Sequence, residues 1–358
     1  MAPVILELEK HPDIETLVVA SGQHKEMLRQ VLDTFGINEK VNFDVMKPQQ
    51  SLAYITSSVL TAFDESIASI KPDMVIAQGD TTTTFVASLV AFYRGVPFAH
   101  VEAGLRTPTV DSPFPEEFNR RATALVTRLH FPPTTGAANN LLREGVLAEQ
   151  IVVAGNTSID AILDVSSRFG SITAYSSGRM VLVTTHRREN WGEPQERICR
   201  AILRLIDAHD DIHVVLPMHK NEAVRETLRM HLAKNPRVFL IEPPEYVEFT
   251  RLMSASYLIL TDSGGVQEEA PSLGKPVLVL RTETERPEGI ETGNAILVGT
   301  MEDAIFDEAD RLLSNPNMHA AMASKNNPYG DGLAAKRIVS SIRKHFGMSH
   351  EDYPAFRS

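Results

Sequence analysis

Short apolar runs recur along the chain, each followed by a stretch of helical periodicity, and this alternation decides the fold class. The first half holds "TLVVAS", "NFDVM", "DMVIAQGD", "PFAHVEAG", "RLHFPP" and "IVVAGN". The second holds "MVLVTT", "IHVVLP", "RVFLIEP", "YLILTDS", "PVLVLR" and "AILVGT". These runs are apolar on both faces, so each strand must be covered on both sides, as in a parallel sheet between helix layers. The segments between them, such as "SLAYITSSVLTAFDESIASI" from Ser51 and the stretch Glu196 to His209, are amphipathic with helical spacing. Repeated strand–helix–strand units predict a doubly wound α/β architecture.

A chain of 358 residues suits two such domains better than one. The stretch "SSRFGSITAYSSGR", Ser166 to Arg179, is rich in Ser and Gly and weakly periodic, as linkers are. The expected division is residues 1–168, joined by a C-terminal helix over 345–358, and residues 169–344. Two Rossmann-like domains would then face each other across a cleft, with ligands at the C-terminal ends of the strands. The beginning departs from this plan. "MAPVILELEKHPDIE" reads as a helix, and the first strand comes only at Thr16. A doubly wound domain opens on a strand, so the first strand of the N-terminal domain is expected to be missing. The gene product is expected to start earlier, by on the order of 15 residues of strand and turn.

Composition excludes several functions. The apolar fraction of 43% provides for a large core, and no apolar run reaches membrane-spanning length. No signal peptide is visible, and a single cysteine, Cys199, excludes an internal disulfide framework. A cytoplasmic location is expected. A net charge of −11 argues against nucleic-acid and anionic-membrane partners. No spacing matches a zinc signature, so no metal is expected, and neither a dinucleotide fingerprint nor a P-loop occurs.

Ionisable residues cluster just after the strand ends. "QGDTTTTF" places Asp80 there, "HVEAGLRT" places Glu102 and Arg106, and "TTHRREN" places His186 and Arg187. "SPFPEEFNRR" puts Pro115 where a helix can begin, with Glu116 and Arg120 four residues apart on one face. Each has a plainer explanation. Asp80 and Asp262 suit helix N-caps, Glu116 and Arg120 suit a surface ion pair, and a lone His186 suits a structural role.

"TDSGGVQEE" is harder to explain as a turn alone. A helix start carries unpaired N–H groups and partial positive charge, which favour phosphate. Gly264 and Gly265 put no Cβ in the way, and Glu269, one turn further on, can accept from sugar hydroxyls. This describes a site for a nucleotide diphosphate with its ribose. Two Rossmann-like domains with such a turn in the second make the GT-B architecture of nucleotide-sugar enzymes.

These motifs, together with "THRREN", "TDSGGVQEEAPSLGKPVLVLRTETERPEG" and "NPYGDG", resemble the non-hydrolysing bacterial UDP-N-acetylglucosamine 2-epimerases over nearly the whole chain. The resemblance implies interconversion of UDP-GlcNAc and UDP-ManNAc for cell-surface polysaccharide. The route would be elimination of UDP to 2-acetamidoglucal and re-addition, with no cofactor and no nicotinamide. It implies Asp80, Glu102 and Glu116 as acid and base groups, with Arg120 beside Glu116. His186 and Arg286 would hold the diphosphate with the Ser263, Gly264 and Gly265 turn. Glu269 would bind the ribose and Phe249 would lie against the uracil. The N-terminal domain would take the sugar and the C-terminal one the UDP, in a homodimer. Gln23, Glu116, Arg187 and His219 match positions of the family's activator site, whereas Glu26 and Gln49 depart from its usual residues. The family's "GTRPE" loop is absent. A UDP-sugar glycosyltransferase, a hydrolysing epimerase and a non-catalytic nucleotide-sugar binder are the alternatives.

Overall fold

The structure is a computed structural model. It describes residues 1–22, 25–45, 50–172, 175 and 177–357, apart from the side chains of 25–27. In chain order its first elements are α1 (Ala2–Glu9), β1 (Val19–Ala20), α2 (Lys25–Phe35), β2 (Val41–Asn42), α3 (Leu52–Ile70) and β3 (Val75–Gln78). There follow α4 (Thr82–Tyr93), β4 (Phe98–Val101), α5 (Glu116–Val126), β5 (Leu129–Phe131), α6 (Thr135–Arg143) and α7 (Thr157–Phe169). The chain continues through β6 (Arg179–Thr184), α8 (Glu193–Ala208), β7 (Ile212–Pro217), α9 (Glu222–Leu232), β8 (Val238–Ile241) and α10 (Tyr246–Ala255). The last elements are β9 (Leu258–Thr261), α11 (Gly264–Glu269), β10 (Val277–Val279), α12 (Pro287–Glu291), β11 (Ala295–Leu297), α13 (Glu302–Ser314), α14 (Pro316–Ala323) and α15 (Ala334–His345). No helix among the described residues is long and apolar enough to cross a membrane.

The chain forms two compact units, Met1–Ala161 with Gly330–Ser358 and Ile162–Tyr329. α15 therefore belongs entirely to the first unit. The helix expected over 345–358 is not there. α15 ends at His345, and Gly347 (φ +67°) stops it in the left-handed region that glycine tolerates. Beyond it the described residues form no helix, and the Phe356 amide donates to the Val153 carbonyl.

The second unit has one parallel six-stranded sheet in the order β11-β10-β9-β6-β7-β8. Counted from β6, this is the 3-2-1-4-5-6 order of doubly wound folds. Its strands are buried on both faces because each carries apolar side chains on both. Val181, Val183, Leu258 and Leu260 enter one core with α8 residues Ile198 and Ile202, while Leu182 and Ile259 enter the opposite one with Leu252. The direction of strand addition reverses between β6 and β9, and ligands of such sheets bind at that switch point.

The first unit has two parallel sheets, β1-β2 and β3-β4-β5. Among the described residues no ladder joins β1 to β3. One core packs α1 and α15 residues Val4, Leu8, Ile338 and Ile342 on Val101 and Phe131; another packs Ile55, Val59 and Val86 of α3 and α4 on Val75 and Phe98. His100 of β4 and His130 of β5 are register partners in this sheet. Both are buried, and the Nδ1 of each lacks a hydrogen-bond partner. Burial pushes each imidazole down to about 4.

Gly104 follows β4 with φ +85°, and a Cβ placed on it would lie 2.3 Å from the Ala137 carbonyl oxygen. The substitution Gly104→Ala is expected to destabilise the first unit by about 3 kcal/mol, from backbone strain and overlap with the start of α6. A thermal melt equal to that of the parent chain would contradict this.

Candidate active site

The strand-end residues fall into two groups, one on each unit. In the first unit, Asp80 follows β3 and Glu102 follows β4 directly. The helix cap after β3 is Thr81, whose hydroxyl accepts from the Thr84 amide at 3.3 Å. Asp80 is thus not a cap, contrary to the plainer expectation. Two residues of α5 hold it instead. Asn119 Nδ2 donates to its backbone carbonyl at 2.8 Å, and Arg120 Nε donates to its Oδ2 at 3.0 Å.

Glu102 sits at φ +64°, a conformation that costs a non-glycine residue energy and persists only where surroundings impose it. Such outliers collect at functional positions. Gln78 Nε2 donates to its Oε2 at 3.1 Å, which keeps the carboxylate at the C-terminal edge of β3 and β4. Glu116 opens α5, next to the capping position taken by Pro115.

The expected pair of Glu116 and Arg120 does not form. Arg120 Nη1 lies 3.2 Å from Glu117 Oε2, one residue over, while its Nε faces Asp80. Positions i+3 and i+4 both lie beside a helical residue, and burial decides between them. Glu117 is wholly inside, at 0% side-chain exposure, where its carboxylate needs cations more than the half-buried Glu116 does. Arg106 lies apart from this group, paired through two bonds of 2.7 Å with Glu144.

In the second unit, His186 follows β6 and Asp262 follows β9, on the two strands that flank the switch point. Asp262 is not a helix cap either; Ser263 occupies the capping position of α11. The buried Asp262 carboxylate turns back across the sheet edge. It accepts from the amides of His186 and Arg187, both within 3.1 Å, from Asn190 Nδ2 at 2.9 Å, and from His186 Nδ1 at 2.9 Å. Burial alone would raise its carboxyl, but the bonds from His186, the Arg187 amide and Asn190 outweigh it and hold the group below the usual carboxylate range. A carboxylate only accepts, so His186 Nδ1 carries a proton and donates it to Asp262. The His186 side chain is 43% exposed.

Gly264 and Gly265 have helical backbone angles, and a Cβ on either would touch nothing in the protein closer than 3.6 Å, so neither backbone conformation nor internal packing demands glycine here. A Cβ on Gly264 would lie 3.6 Å from Arg286 Nη2 and 4.0 Å from Arg187 Nη2. Two guanidinium groups therefore converge beside the first amides of α11, which have no intrahelical acceptors. Arg286 is held there by an ion pair from its Nε to Glu268, and its amide donates to Thr284 Oγ1 at 3.1 Å. Thr284 in turn donates to Gln267 at 2.7 Å, which ties the loop after β10 to α11.

Burial pushes the Glu269 carboxyl up to about 8, and the neighbouring Glu268 charge adds to this, so Glu269 keeps its proton at neutral pH. Phe249, on α10, packs partly buried against the core formed by Leu252, Met253 and Ile259. Arg187 stands with the glycine turn. His219 lies in the turn after β7, where its Nδ1 accepts from the Asn221 amide at 3.2 Å and its ring is 6.2 Å from that of Trp191. Gln23 and Gln49 lie outside the described residues, as does the side chain of Glu26.

Sequence reasoning passed over Glu117 and Asn190, noted Glu268 without giving it a partner, and left a helix cap open as the plainer reading of Asp262. Only the adjacency of Glu117 to Glu116 and of Asn190 to the "THRRE" stretch could have drawn attention to them.

A sequence model of the UDP-N-acetylglucosamine 2-epimerase family matches residues 6–343. UDP-N-acetylglucosamine 2-epimerase of Bacillus subtilis (strain 168) is 49% identical over 360 residues, covering 99% of this chain and 94% of that one. The Escherichia coli K12 protein of that name is 45% identical over 357 residues, covering 96% and 95%. The crystal structure of UDP-GlcNAc 2-epimerase from Neisseria meningitidis bound to UDP-GlcNAc superposes with a TM-score of 0.83 at 44% identity, covering 96% of each chain. Parallel α/β units with carboxylate, imidazole and guanidinium groups at their strand ends, in such company, define an isomerase. The chain belongs to the UDP-N-acetylglucosamine 2-epimerase family, in its non-hydrolysing bacterial branch.

Proposed function

We propose that the chain interconverts UDP-GlcNAc and UDP-ManNAc by eliminating and re-adding UDP through 2-acetamidoglucal. The observation that carries this is the convergence of Arg187 and Arg286 on the Gly264 turn, beside a His186 that Asp262 holds at the switch point. The C2 proton is not next to a carbonyl, so its direct removal is hard. Loss of UDP from C1 as a base takes that proton moves the C2–H electron pair into a C1=C2 double bond. The C1–O pair leaves with the diphosphate. Re-addition with protonation at C2 on the opposite face gives the epimer.

Asp80, Glu102 and Glu116 serve as the proton donors and acceptors, with Arg120 setting the charge beside Asp80. His186, Arg286 and the Ser263–Gly264–Gly265 turn stabilise the departing diphosphate. Glu269 meets the ribose and Phe249 the uracil. The reading includes a homodimer. It places the reaction in the cytoplasm, in cell-surface polysaccharide synthesis.

The test is incubation with UDP-GlcNAc alone in deuterium oxide, followed by proton NMR. UDP-ManNAc carrying deuterium at C2 is expected. Full retention of protium would exclude elimination, and UDP binding without turnover would exclude catalysis.

Gly265→Leu tests the diphosphate turn separately. A Cβ at this position meets only Ser263 Oγ, at 4.0 Å, so the fold accommodates it. The leucine would occupy the approach to the helix start, and UDP affinity should fall by at least about tenfold. Unchanged UDP binding by calorimetry would refute this placement.

A further inference from the structure

We infer that Glu117 is a positioning residue for the reaction, acting through Arg120 on Asp80. The inference rests on the reading above, in which Asp80 handles a proton. Glu117 is the one carboxylate of α5 with no exposed side-chain surface. Isolation from water disfavours a carboxylate strongly, and full pairing is what makes such a position tenable. Glu117 has that pairing. Its Oε1 accepts from Arg121 Nε at 2.7 Å, and its Oε2 accepts from Arg120 Nη1 at 3.2 Å and from the Thr107 amide at 3.1 Å.

The consequence lies in the geometry of Arg120. A guanidinium is planar, and its Nε–H and Nη–H groups point in set directions. Glu117 takes one Nη1–H of Arg120, and Asp80 Oδ2 takes the Nε–H at 3.0 Å. Two acceptors fix the plane where one would leave it free to rotate. Asp80 thereby keeps a cation at a set distance and angle, while its other oxygen is left for a substrate. Backbone placement adds to this, since Asn119 holds the Asp80 carbonyl from the same helix.

A plainly structural role is the competing account. Glu117 also holds the loop after β4 through the Thr107 amide, and Arg121 Nη2 donates to the Thr107 carbonyl at 2.9 Å. Loss of that hold would lower stability regardless of Arg120. The two accounts separate in a double-mutant cycle of Glu117→Gln with Arg120→Lys. Lysine keeps the charge but has no planar fork to bridge two carboxylates.

The measurement is epimerisation kinetics and thermal melts for all four proteins. In the wild-type background Glu117→Gln should lower kcat by at least about tenfold, with KM for UDP-GlcNAc within about twofold. In the Arg120→Lys background the same change should alter kcat by less than about twofold, although it still lowers the melting temperature through the lost bonds to Thr107 and Arg121. An equal kcat loss in both backgrounds would overturn the inference and leave the epimerase reading intact. Full kcat in Arg120→Lys alone would instead remove the role of the Asp80–Arg120 pair, and the inference with it. If Glu117→Gln fails to fold, Glu117→Asp, which keeps the charge but shortens the reach, takes its place in the cycle with the same criteria.

Discussion

Asp80→Asn should lower kcat by about 10²–10⁴-fold while leaving the first unit folded. The structural role of Asp80 is small. Thr81 caps α4, and the bond from Asn119 goes to the Asp80 backbone carbonyl, which the substitution leaves in place. What the amide loses is the charge facing Arg120 and the ability to carry a proton to or from the sugar. Glu102→Gln and Glu116→Gln should show the same split between rate and stability. The check is kcat for UDP-ManNAc formation alongside a melt. Full kcat with a lowered melting temperature would make Asp80 an ion-pair member and nothing more.

Asp262→Ala should be damaging in both respects. Its carboxylate is the acceptor for the His186 and Arg187 amides, for Asn190 and for His186 Nδ1. Each buried group left without a partner costs about 1–3 kcal/mol, so a loss of about 3–5 kcal/mol from the second unit is expected. The imidazole also loses the acceptor that sets its tautomer, so kcat falls in whatever fraction stays folded. The pH dependence provides a second check. The folded carboxyl titrates below its unfolded value, so its contribution to stability is complete above the unfolded range near pH ~3.9 and disappears as pH falls through the lower folded value. Asp262→Ala should flatten that part of the acid limb. A melt within about 1 kcal/mol of the parent at pH 7 would show that water replaces the carboxylate without loss.

Much of this architecture was legible before any coordinates. Runs apolar on both faces predict a parallel sheet, because no other arrangement covers both sides of so many strands. Polar residues just after those runs predict where ligands bind. The partners were not legible. On α5, residues three and four apart share a face, so Arg120 could not be assigned to Glu117 rather than Glu116 until burial distinguished the two carboxylates. Asp262 had the look of a cap because it stands between a strand and a helix start. Its true acceptor role depends on β6 and β9 lying side by side, a pairing of segments 77 residues apart at Thr184 and Thr261. "TLVVAS" yields only the two-residue strand Val19–Ala20, and the strand near "NFDVM" is Val41–Asn42, which shares only Asn42 with that run. The helix expected over 345–358 fails because Gly347, at positive φ, stops α15 just after His345.

The histidine pair inside the β3-β4-β5 sheet bears on how the molecule responds to its surroundings. An unfolded chain takes up a proton at each imidazole below about pH 6.5, whereas the folded sheet refuses both until about pH 4. The contribution of these two groups to stability is therefore level above neutrality and declines through the interval between those values, with a slope approaching two protons. Mild acid alone, in the range of an endosome or a fermenting culture, should loosen the first unit with no substrate, oxidant or protease involved. Replacing both imidazoles by uncharged side chains of similar size should remove that sensitivity, which melts at pH 7 and pH 5 would reveal.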